Sequence, residues 1–348
     1  MNIAQDRMSS PSMQTLPQPY LLFLGDVTEA AYAKTAFGLR DWAGDRCIGE
    51  LSCGGGTVTT GLPRLTPKQA HSLGARALVI GVANTGGFIQ DNWIPSLVEA
   101  LESGLDIISG MHARLEGTPA LKAAAERHGR SLINVRTPPR DIAIASGSKR
   151  TGKRLLTVGT DCALGKKYTA LALARAFGQR GVDVDFRATG QTGILIAGGG
   201  MPMDAVVADF AAGAAEMISP DASAQHWDVV EGQGSLFHPA YAGVSLALLH
   251  GSQPDVFVVC HEPGRECILG HPEFPLPSLE DTIDLTLRLG GRTNPAIRCA
   301  GISLNTASLD ADAARAMLDK ESTRLGMPVA DPMRGGLEFE RLVDACLA

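Results

Sequence analysis

A glycine-rich loop between a strand and a helix constrains the fold of this chain more than any other segment. An apolar run at residues 155–158 is followed by two glycines and two lysines within nine residues, and then by an Ala/Leu-rich stretch that reaches Phe177. Such a turn directs successive backbone N–H groups inward, and the helix N-terminus adds a positive partial charge. We therefore predict a phosphate-binding loop formed by Gly159, Thr160, Asp161, Cys162, Ala163, Leu164, Gly165, Lys166 and Lys167.

The same loop differs from the usual P-loop in two ways. Five residues separate Gly159 from Gly165, whereas the usual spacing is four. Lys167 also occupies the position at which a Ser or Thr hydroxyl normally ligates Mg²⁺, and an ammonium group cannot act as a metal ligand. Thr169 could supply that hydroxyl only if the register shifted. The sequence therefore predicts phosphate binding without a requirement for Mg²⁺, and no metal site, since no Cys/His cluster has zinc spacing.

Length and composition exclude several classes of protein. A chain of 348 residues exceeds the usual single core, which predicts two domains. The net charge of −6 without a long basic run argues against a nucleic-acid partner. No apolar run approaches the ~18 residues of a membrane span, so we expect no membrane partner. The seven cysteines include no C-x-x-C pair, which favours reduced thiols and a cytoplasmic location.

Short apolar runs alternate with helical stretches along the chain, which predicts an α/β fold with parallel sheets. Clear strand candidates are residues 20–24, 78–82, 155–158, 228–231 and 256–260. The pair Pro138-Pro139 opens a linker that continues into a small, basic run. We predict a disordered tail at residues 1–19, an N-terminal Rossmann-like domain at 20–145 and a C-terminal P-loop NTPase-like domain at 146–348.

A second strand end places a carboxylate beside the loop. The predicted strand at residues 228–231 ends in Glu231 and is followed by Gly232-Gln233-Gly234-Ser235. Ligands of open α/β sheets lie at the carboxyl ends of the strands, so Glu231 is expected to face a ligand. The alternative interpretation is a solvated acid at a strand end.

Longer strings carry a family resemblance. Gly-Thr-Asp-x-x-x-Gly-Lys and Val-Glu-Gly-x-Gly resemble dethiobiotin synthetase and its relatives over residues 146–348. Four further strings, at residues 109–115, 231–241, 248–251 and 260–265, resemble a bacterial family of two-domain proteins whose characterised members are D-glutamate N-acetyltransferases. The resemblance covers nearly the whole chain after residue 19. It implies transfer of an acetyl group from acetyl-CoA to D-glutamate, with the CoA phosphates on the modified loop.

The implied reaction requires a base that removes a proton from the ammonium group, and a donor that stabilises the oxyanion. Candidate bases are Glu231, His238, His261 and Asp161. Either histidine could instead be structural, and Glu231 would need a pKa raised by burial. The backbone N–H groups of residues 232–235 or of the loop could bind the oxyanion. Direct transfer is preferred over an acyl-enzyme on Cys162, which remains the alternative.

The two carboxylates of D-glutamate predict arginine partners. Candidates for substrate binding are Arg265, Arg114, Arg64 and Gln233. Two other functions stay open, namely an ATP- and Mg²⁺-dependent ligase like dethiobiotin synthetase, and a nucleotide sensor without catalysis. We expect a homo-oligomer, as for many metabolic α/β enzymes.

Overall fold

The computed structural model describes residues 15–84 and 86–348, which divide into two compact units. The first unit contains the described residues up to Asp141 together with Gln191–Pro202, and the second contains Ile142–Gly190 and Met203–Ala348. The boundary expected at 145/146 lies four residues from this division. The insertion of 191–202 into the first unit is a feature that the sequence did not predict. Residues 1–14 of the expected disordered tail, and Thr85, lie outside the described residues.

The first unit is a parallel five-stranded sheet with helices. Its strands are β1 (Tyr20–Gly25), β2 (Cys47–Ser52), β3 (Ala77–Ile80), β4 (Asp106–Ser109) and β5 (Leu132–Asn134), in the spatial order β2-β1-β3-β4-β5. Its first four helices are α1 (Lys34–Trp42), α2 (Pro67–Ser72), α3 (Ile94–Glu102) and α4 (Pro119–His128). Every residue of β1 and β3 is buried, so these central strands form the core of the unit.

The second unit contains a parallel six-stranded sheet and a small hairpin. The sheet has the order β13-β12-β9-β6-β8-β7, from β6 (Lys153–Gly159), β7 (Val184–Arg187), β8 (Trp227–Val230), β9 (Val256–His261), β12 (Arg298–Leu304) and β13 (Val329–Ala330). The antiparallel hairpin pairs β10 (Cys267–Ile268) with β11 (His271–Pro275). The helices of this unit are α5 (Lys166–Gln179), α7 (Ala211–Ile218), α8 (Ala242–Ser252), α9 (Leu279–Gly290), α10 (Ala311–Leu325) and α11 (Gly336–Leu347), whereas α6 (Gln191–Ala197) belongs to the first unit.

Helix α6 is the part of the inserted segment that packs within the first unit, on α1. The Tyr20 hydroxyl donates to the carbonyl of Leu195 at 3.4 Å, and the Leu16 N–H donates to the carbonyl of Gly198 at 2.9 Å. Leu16 is buried although it lies in the expected tail. The start of the first unit is therefore held by residues that come much later in the chain.

The predicted α/β fold is confirmed, and in the second unit it brings the candidate residues to one edge of the sheet. Strand β6 lies between β9 and β8, all three run parallel, and the phosphate loop, His261 and Glu231 come at or directly after their carboxyl ends. Among the described residues, we find no helix that combines the length and the apolar character needed to cross a membrane.

Candidate active site

The side chain of Lys166 folds back and bonds to the backbone of the phosphate loop. Lys166 is the first residue of α5, and its Nζ donates to the carbonyl of Asp161 at 2.6 Å. Its side chain is buried, and burial lowers the pKa of the Lys166 ammonium. Ala163 and Gly165 adopt left-handed conformations with φ of 56° and 109°, which turns the backbone sharply before the helix begins. The result is a tight loop that encloses one cationic group at a helix N-terminus, as an anion site requires.

Asp161 anchors the loop to a neighbouring segment. Its Oδ1 accepts from the N–H of Cys162 at 2.6 Å, while its Oδ2 accepts from Nη1 of Arg265 at 2.9 Å and from the N–H of Leu269 at 2.8 Å. The carboxylate is fully buried. Because its two oxygens already accept three hydrogen bonds, Asp161 is poorly placed to take a proton from a substrate. This candidate base instead anchors the phosphate loop to the segment at residues 265–269.

Arg265 has partners within the protein that its expected role did not include. Besides Asp161, its Nη1 donates to the carbonyl of Cys162 at 2.8 Å, and its Nη2 binds the Glu262 carboxylate. Two carboxylates and a carbonyl already accept hydrogen bonds from this guanidinium. It therefore does not offer a pair of N–H groups for bidentate binding of a substrate carboxylate. The structure therefore gives Arg265 the position of a loop anchor.

Glu231 is buried at the carboxyl end of β8. Its Oε2 accepts from the N–H groups of Thr189 at 2.9 Å and Gly190 at 3.0 Å. Burial raises the pKa of the Glu231 carboxyl, an effect that these two donors and the nearby lysines Lys166 and Lys167 partly offset. A buried carboxylate with a raised pKa beside a phosphate loop is suited to accept a proton.

Gly232 allows β8 to end close against β6. A Cβ at this position would lie 1.7 Å from the carbonyl oxygen of Thr157, and the Gly232 N–H donates to Oγ1 of Thr157 at 3.0 Å. Because this N–H already has an acceptor, Gly232 is not available as an oxyanion donor, and the N–H groups of residues 233–235 and of the loop stay predictions.

Gln233 links the ends of two strands. Its Nε2 donates to Oγ1 of Thr189 at 3.1 Å, and Thr189 in turn donates to the carbonyl of Glu231 at 2.6 Å. A Cβ on Gly190 would lie 2.6 Å from Nε2 of Gln233. The amide of Gln233 therefore braces the end of β7 against that of β8, and it lies beside the Glu231 carboxylate.

His238 is held in one tautomer by two hydrogen bonds that its Nδ1 accepts. Its Nδ1 accepts from the N–H groups of Ala240 at 3.1 Å and Tyr241 at 3.3 Å. The proton of the neutral ring therefore resides on Nε2, which lies 4.0 Å from Oδ1 of Asp161. Removal of the ring from water lowers the pKa of His238. With its lone pair in use, His238 is arranged to donate a hydrogen bond instead of acting as a base.

His261 is the last residue of β9, and it contacts the phosphate loop at Thr160. Its Nδ1 lies 3.0 Å from Oγ1 of Thr160, and the Thr160 N–H donates to the carbonyl of Cys260 at 3.2 Å. Burial lowers the pKa of His261. His261 also borders a cavity on the side of β9 away from β8.

The Thr169 hydroxyl and the Cys162 thiol are poorly placed to ligate Mg²⁺ or to act as a nucleophile, respectively. The Thr169 hydroxyl is buried against Oγ of Ser303 at 2.8 Å, and the Lys167 Nζ lies 4.3 Å from the centre of the Tyr168 ring. Burial raises the pKa of the Cys162 thiol, which disfavours the thiolate that an acyl-enzyme would require. All seven cysteines are free.

Two groups of side chains within the described residues have atoms close enough together to hold an ion. They are Asp161, Cys162 and His238, and Asp185, His226 and Asp228. In the first group an ion would compete with Arg265 for Asp161. In the second, Nε of Arg187 already lies 2.5 Å from Oδ1 of Asp228. Both groups carry an arginine where an ion would need free carboxylate oxygens.

The two arginine candidates of the first unit are exposed. Nε of Arg114 lies 3.6 Å from Oε2 of Glu116, and Nε of Arg64 lies 3.8 Å from Oε1 of the buried Glu50. The two arginine side chains are 65% and 64% exposed, so both can turn toward a ligand. Their role in substrate binding stays a prediction.

Sequence reasoning missed Thr189 and Gly190, which hold Glu231 and Gln233 in place. They follow β7 in the string Ala188-Thr189-Gly190, which contains no charged group. The available signal was a glycine three residues after the end of a short strand, a weaker form of the signal that drew attention to Gly232.

Comparison with known proteins matches both halves of the chain to one family. The description "Domain of unknown function (DUF1611_C) P-loop domain" matches residues 143–343, and "Domain of unknown function (DUF1611_N) Rossmann-like domain" matches residues 52–138. A crystal structure of a DUF1611 family protein from Anabaena variabilis is similar with a TM-score of 0.82 and 32% identity, covering 95% of this chain and 99% of that one.

Two curated relatives carry the name D-glutamate N-acetyltransferase. One, from a Pseudoalteromonas species, is 48% identical over 326 residues, which is 94% of this chain and 98% of the relative. The other, from Tritonibacter scottomollicae, is 50% identical over 330 residues, which is 95% of this chain and 98% of the relative.

Proposed function

The chain belongs to the D-glutamate N-acetyltransferase family, with its Rossmann-like and P-loop domains, and from this we propose that it transfers the acetyl group of acetyl-CoA to the amino group of D-glutamate. The observation that carries the proposal is the pair of relatives with this name, at 48% and 50% identity over nearly their full length. The resemblance of the sequence to this family is thereby confirmed.

The loop has features that suit CoA better than a hydrolysed nucleotide. Lys166 and the start of α5 offer positive charge to a pyrophosphate. Lys167 stands where a Mg²⁺-ligating hydroxyl would be needed, and the nearby Thr169 hydroxyl is turned to Ser303. Acetyl transfer moves no phosphoryl group, so it does not require the metal that the ligase alternative needs.

Glu231 is our choice of general base. Its ionised carboxylate would take a proton from the substrate ammonium, and the freed amine would attack the thioester carbonyl. The CoA thiolate then leaves and takes the second proton of the attacking nitrogen, so that the amide and the free CoA thiol form together. The raised pKa of Glu231 brings its basicity closer to that of a proton acceptor working near neutral pH. The Nε2–H of His238 is the candidate donor to the oxyanion.

The deciding experiment measures N-acetylglutamate by mass spectrometry, with acetyl-CoA and either D-glutamate or L-glutamate, with and without Mg²⁺. We expect product from D-glutamate alone, without a metal requirement. ADP formation from ATP and Mg²⁺ without acetyl transfer would favour the ligase, and tight nucleotide binding without turnover would favour the sensor.

Localisation and assembly remain predictions. We propose a cytoplasmic homo-oligomer whose partners are small molecules. Cell fractionation tests the location. Gel filtration with light scattering tests the oligomeric state.

A further inference from the structure

A cavity of about 500 Å³ lies beside the phosphate loop at the carboxyl ends of β9 and β12. We call it the β9–β12 cavity. Its wall includes His261 and Leu304 from the strand ends, Leu279 from α9, and Met317 and Lys320 from α10. It borders the loop through His261, whose Nδ1 lies 3.0 Å from Oγ1 of Thr160. A ligand held by the loop can therefore extend into it.

The lining favours a nucleoside over an amino-acid dicarboxylate. Apolar walls come from two prolines and from Leu279, Leu304 and Met317, which suit a planar base. The carboxylates of Glu280 and Glu321 also line the cavity, and both bind Arg324. Arg324 offsets the charge of these two acids, and their carboxylates can accept hydrogen bonds from an adenine amine or from ribose hydroxyls.

The order of the strands gives the ligand a direction. Moving across the sheet, the β9–β12 cavity comes first, then the loop after β6, and then Glu231 after β8. Neighbouring strands lie about 4.8 Å apart, so these sites form a row along one edge. A donor with its base in the cavity and its pyrophosphate on the loop would extend its acyl arm toward Glu231.

We propose that the β9–β12 cavity receives the adenosine of the acetyl-CoA donor, with Lys320 supplying charge for its ribose phosphate. This inference rests on the proposed function, since it identifies the donor-binding part of the same site. The acceptor is thereby directed away from the cavity, to the side of β8 and β7.

The first test is isothermal titration calorimetry with adenosine 3′,5′-bisphosphate, which lacks the acyl arm. Met317→Trp should fill the cavity from the half-buried face of α10 and weaken binding at least about tenfold, or about 1.4 kcal/mol. The matched control is Ala316→Trp, which places the same side chain at an exposed position on α10 outside the cavity lining and should leave binding unchanged. Lys320→Ala, at an exposed position, should weaken binding and reduce its dependence on salt.

The second test separates this inference from the proposed function. With acetyl-CoA, Met317→Trp should raise KM, whereas kcat/KM with acetyl-pantetheine, which lacks the nucleotide, should stay at the wild-type value. Unchanged affinity for the bisphosphate in both Met317→Trp and Lys320→Ala would overturn the inference and leave the acetyltransferase proposal intact. Absence of acetyl transfer by the wild-type protein would instead refute the proposed function, while calorimetry still decides whether the cavity binds adenosine.

Discussion

Replacing Asp161 with asparagine removes a negative charge from the centre of the phosphate loop without changing the size of the side chain. The wild-type carboxylate accepts from Cys162 on Oδ1, and from Arg265 and Leu269 on Oδ2. An asparagine offers only one oxygen for these three donors. Its better orientation keeps that oxygen toward Arg265 and Leu269 and turns the amide NH₂ against the Cys162 N–H.

The expected cost follows from this geometry. One buried donor loses its acceptor, which costs about 1–3 kcal/mol. Arg265 also loses a charged partner, but its guanidinium is 17% exposed and keeps Glu262, so the cost stays below the about 3–5 kcal/mol of a fully buried pair. We expect Asp161→Asn to lower the free energy of unfolding by roughly 2–4 kcal/mol.

The assay is urea denaturation followed by circular dichroism, with hydrogen exchange to localise the loss to residues 153–179. The matched control is Glu262→Gln, which removes the more exposed partner of Arg265 and should cost less than about 1 kcal/mol. A double-mutant cycle with Arg265→Gln should give a coupling of about 1–3 kcal/mol. A loss below about 0.5 kcal/mol in Asp161→Asn, or no coupling, would refute the anchoring role of Asp161.

Substitutions at Glu231, Gly232 and Cys162, all at the same edge of the sheet, give further predictions. Glu231→Gln should lower kcat about 10²–10⁴-fold in the D-glutamate assay, and wild-type kcat/KM should fall as the pH drops through the raised pKa of Glu231. Because the pKa of Glu231 is raised on folding, its ionisation lowers the free energy of unfolding of the wild type as the pH rises above 4.5. Glu231→Gln has no such ionisation. In urea denaturation, the stability of this variant relative to wild type should therefore be greater at pH 7 than at pH 4. Gly232→Ala should lower the free energy of unfolding by about 3 kcal/mol in urea denaturation, because the new Cβ would collide with the Thr157 carbonyl. The control Gly243→Ala, where no atom lies within 4 Å of the Cβ, should be neutral or stabilising. Equal effects of the two substitutions would contradict this steric argument. Cys162→Ala should keep kcat within about twofold of wild type, since burial disfavours its thiolate, and a loss above about 100-fold would restore the acyl-enzyme alternative.

The sequence predicted the fold class and the edge of the sheet where the candidate residues meet. This was possible because apolar runs and glycine turns are local signals, and because parallel strands bring their carboxyl ends to one side. Strand β2 and helix α6 did not stand out as separate elements. The assignment of α6 to the first unit depends on contacts with residues about 175 positions earlier, as in the bond from Tyr20 to Leu195.

The roles of individual side chains were harder to read. The Arg265 guanidinium meets Asp161, which lies 104 residues away, and no local pattern announces that pairing. His238 differs, since its Nδ1 partners lie only two and three residues later, and the string His238-Pro239-Ala240-Tyr241 held that information. The residue types in the sequence were enough to identify the candidate bases. Which of them can accept a proton depends on their hydrogen-bond partners, which the structure shows.

The interrupted course of the chain affects how this protein can fold during synthesis. The first unit lacks its inserted segment, Gln191–Pro202, until the ribosome has already made β6, α5 and β7 of the second unit. Domains generally fold as they emerge, beginning at the N-terminus. Here the packing of the N-terminal unit is completed only by α6, after strands of the second unit have already been made. A fragment ending at residue 145 would therefore lack the partners of Leu16 and Tyr20.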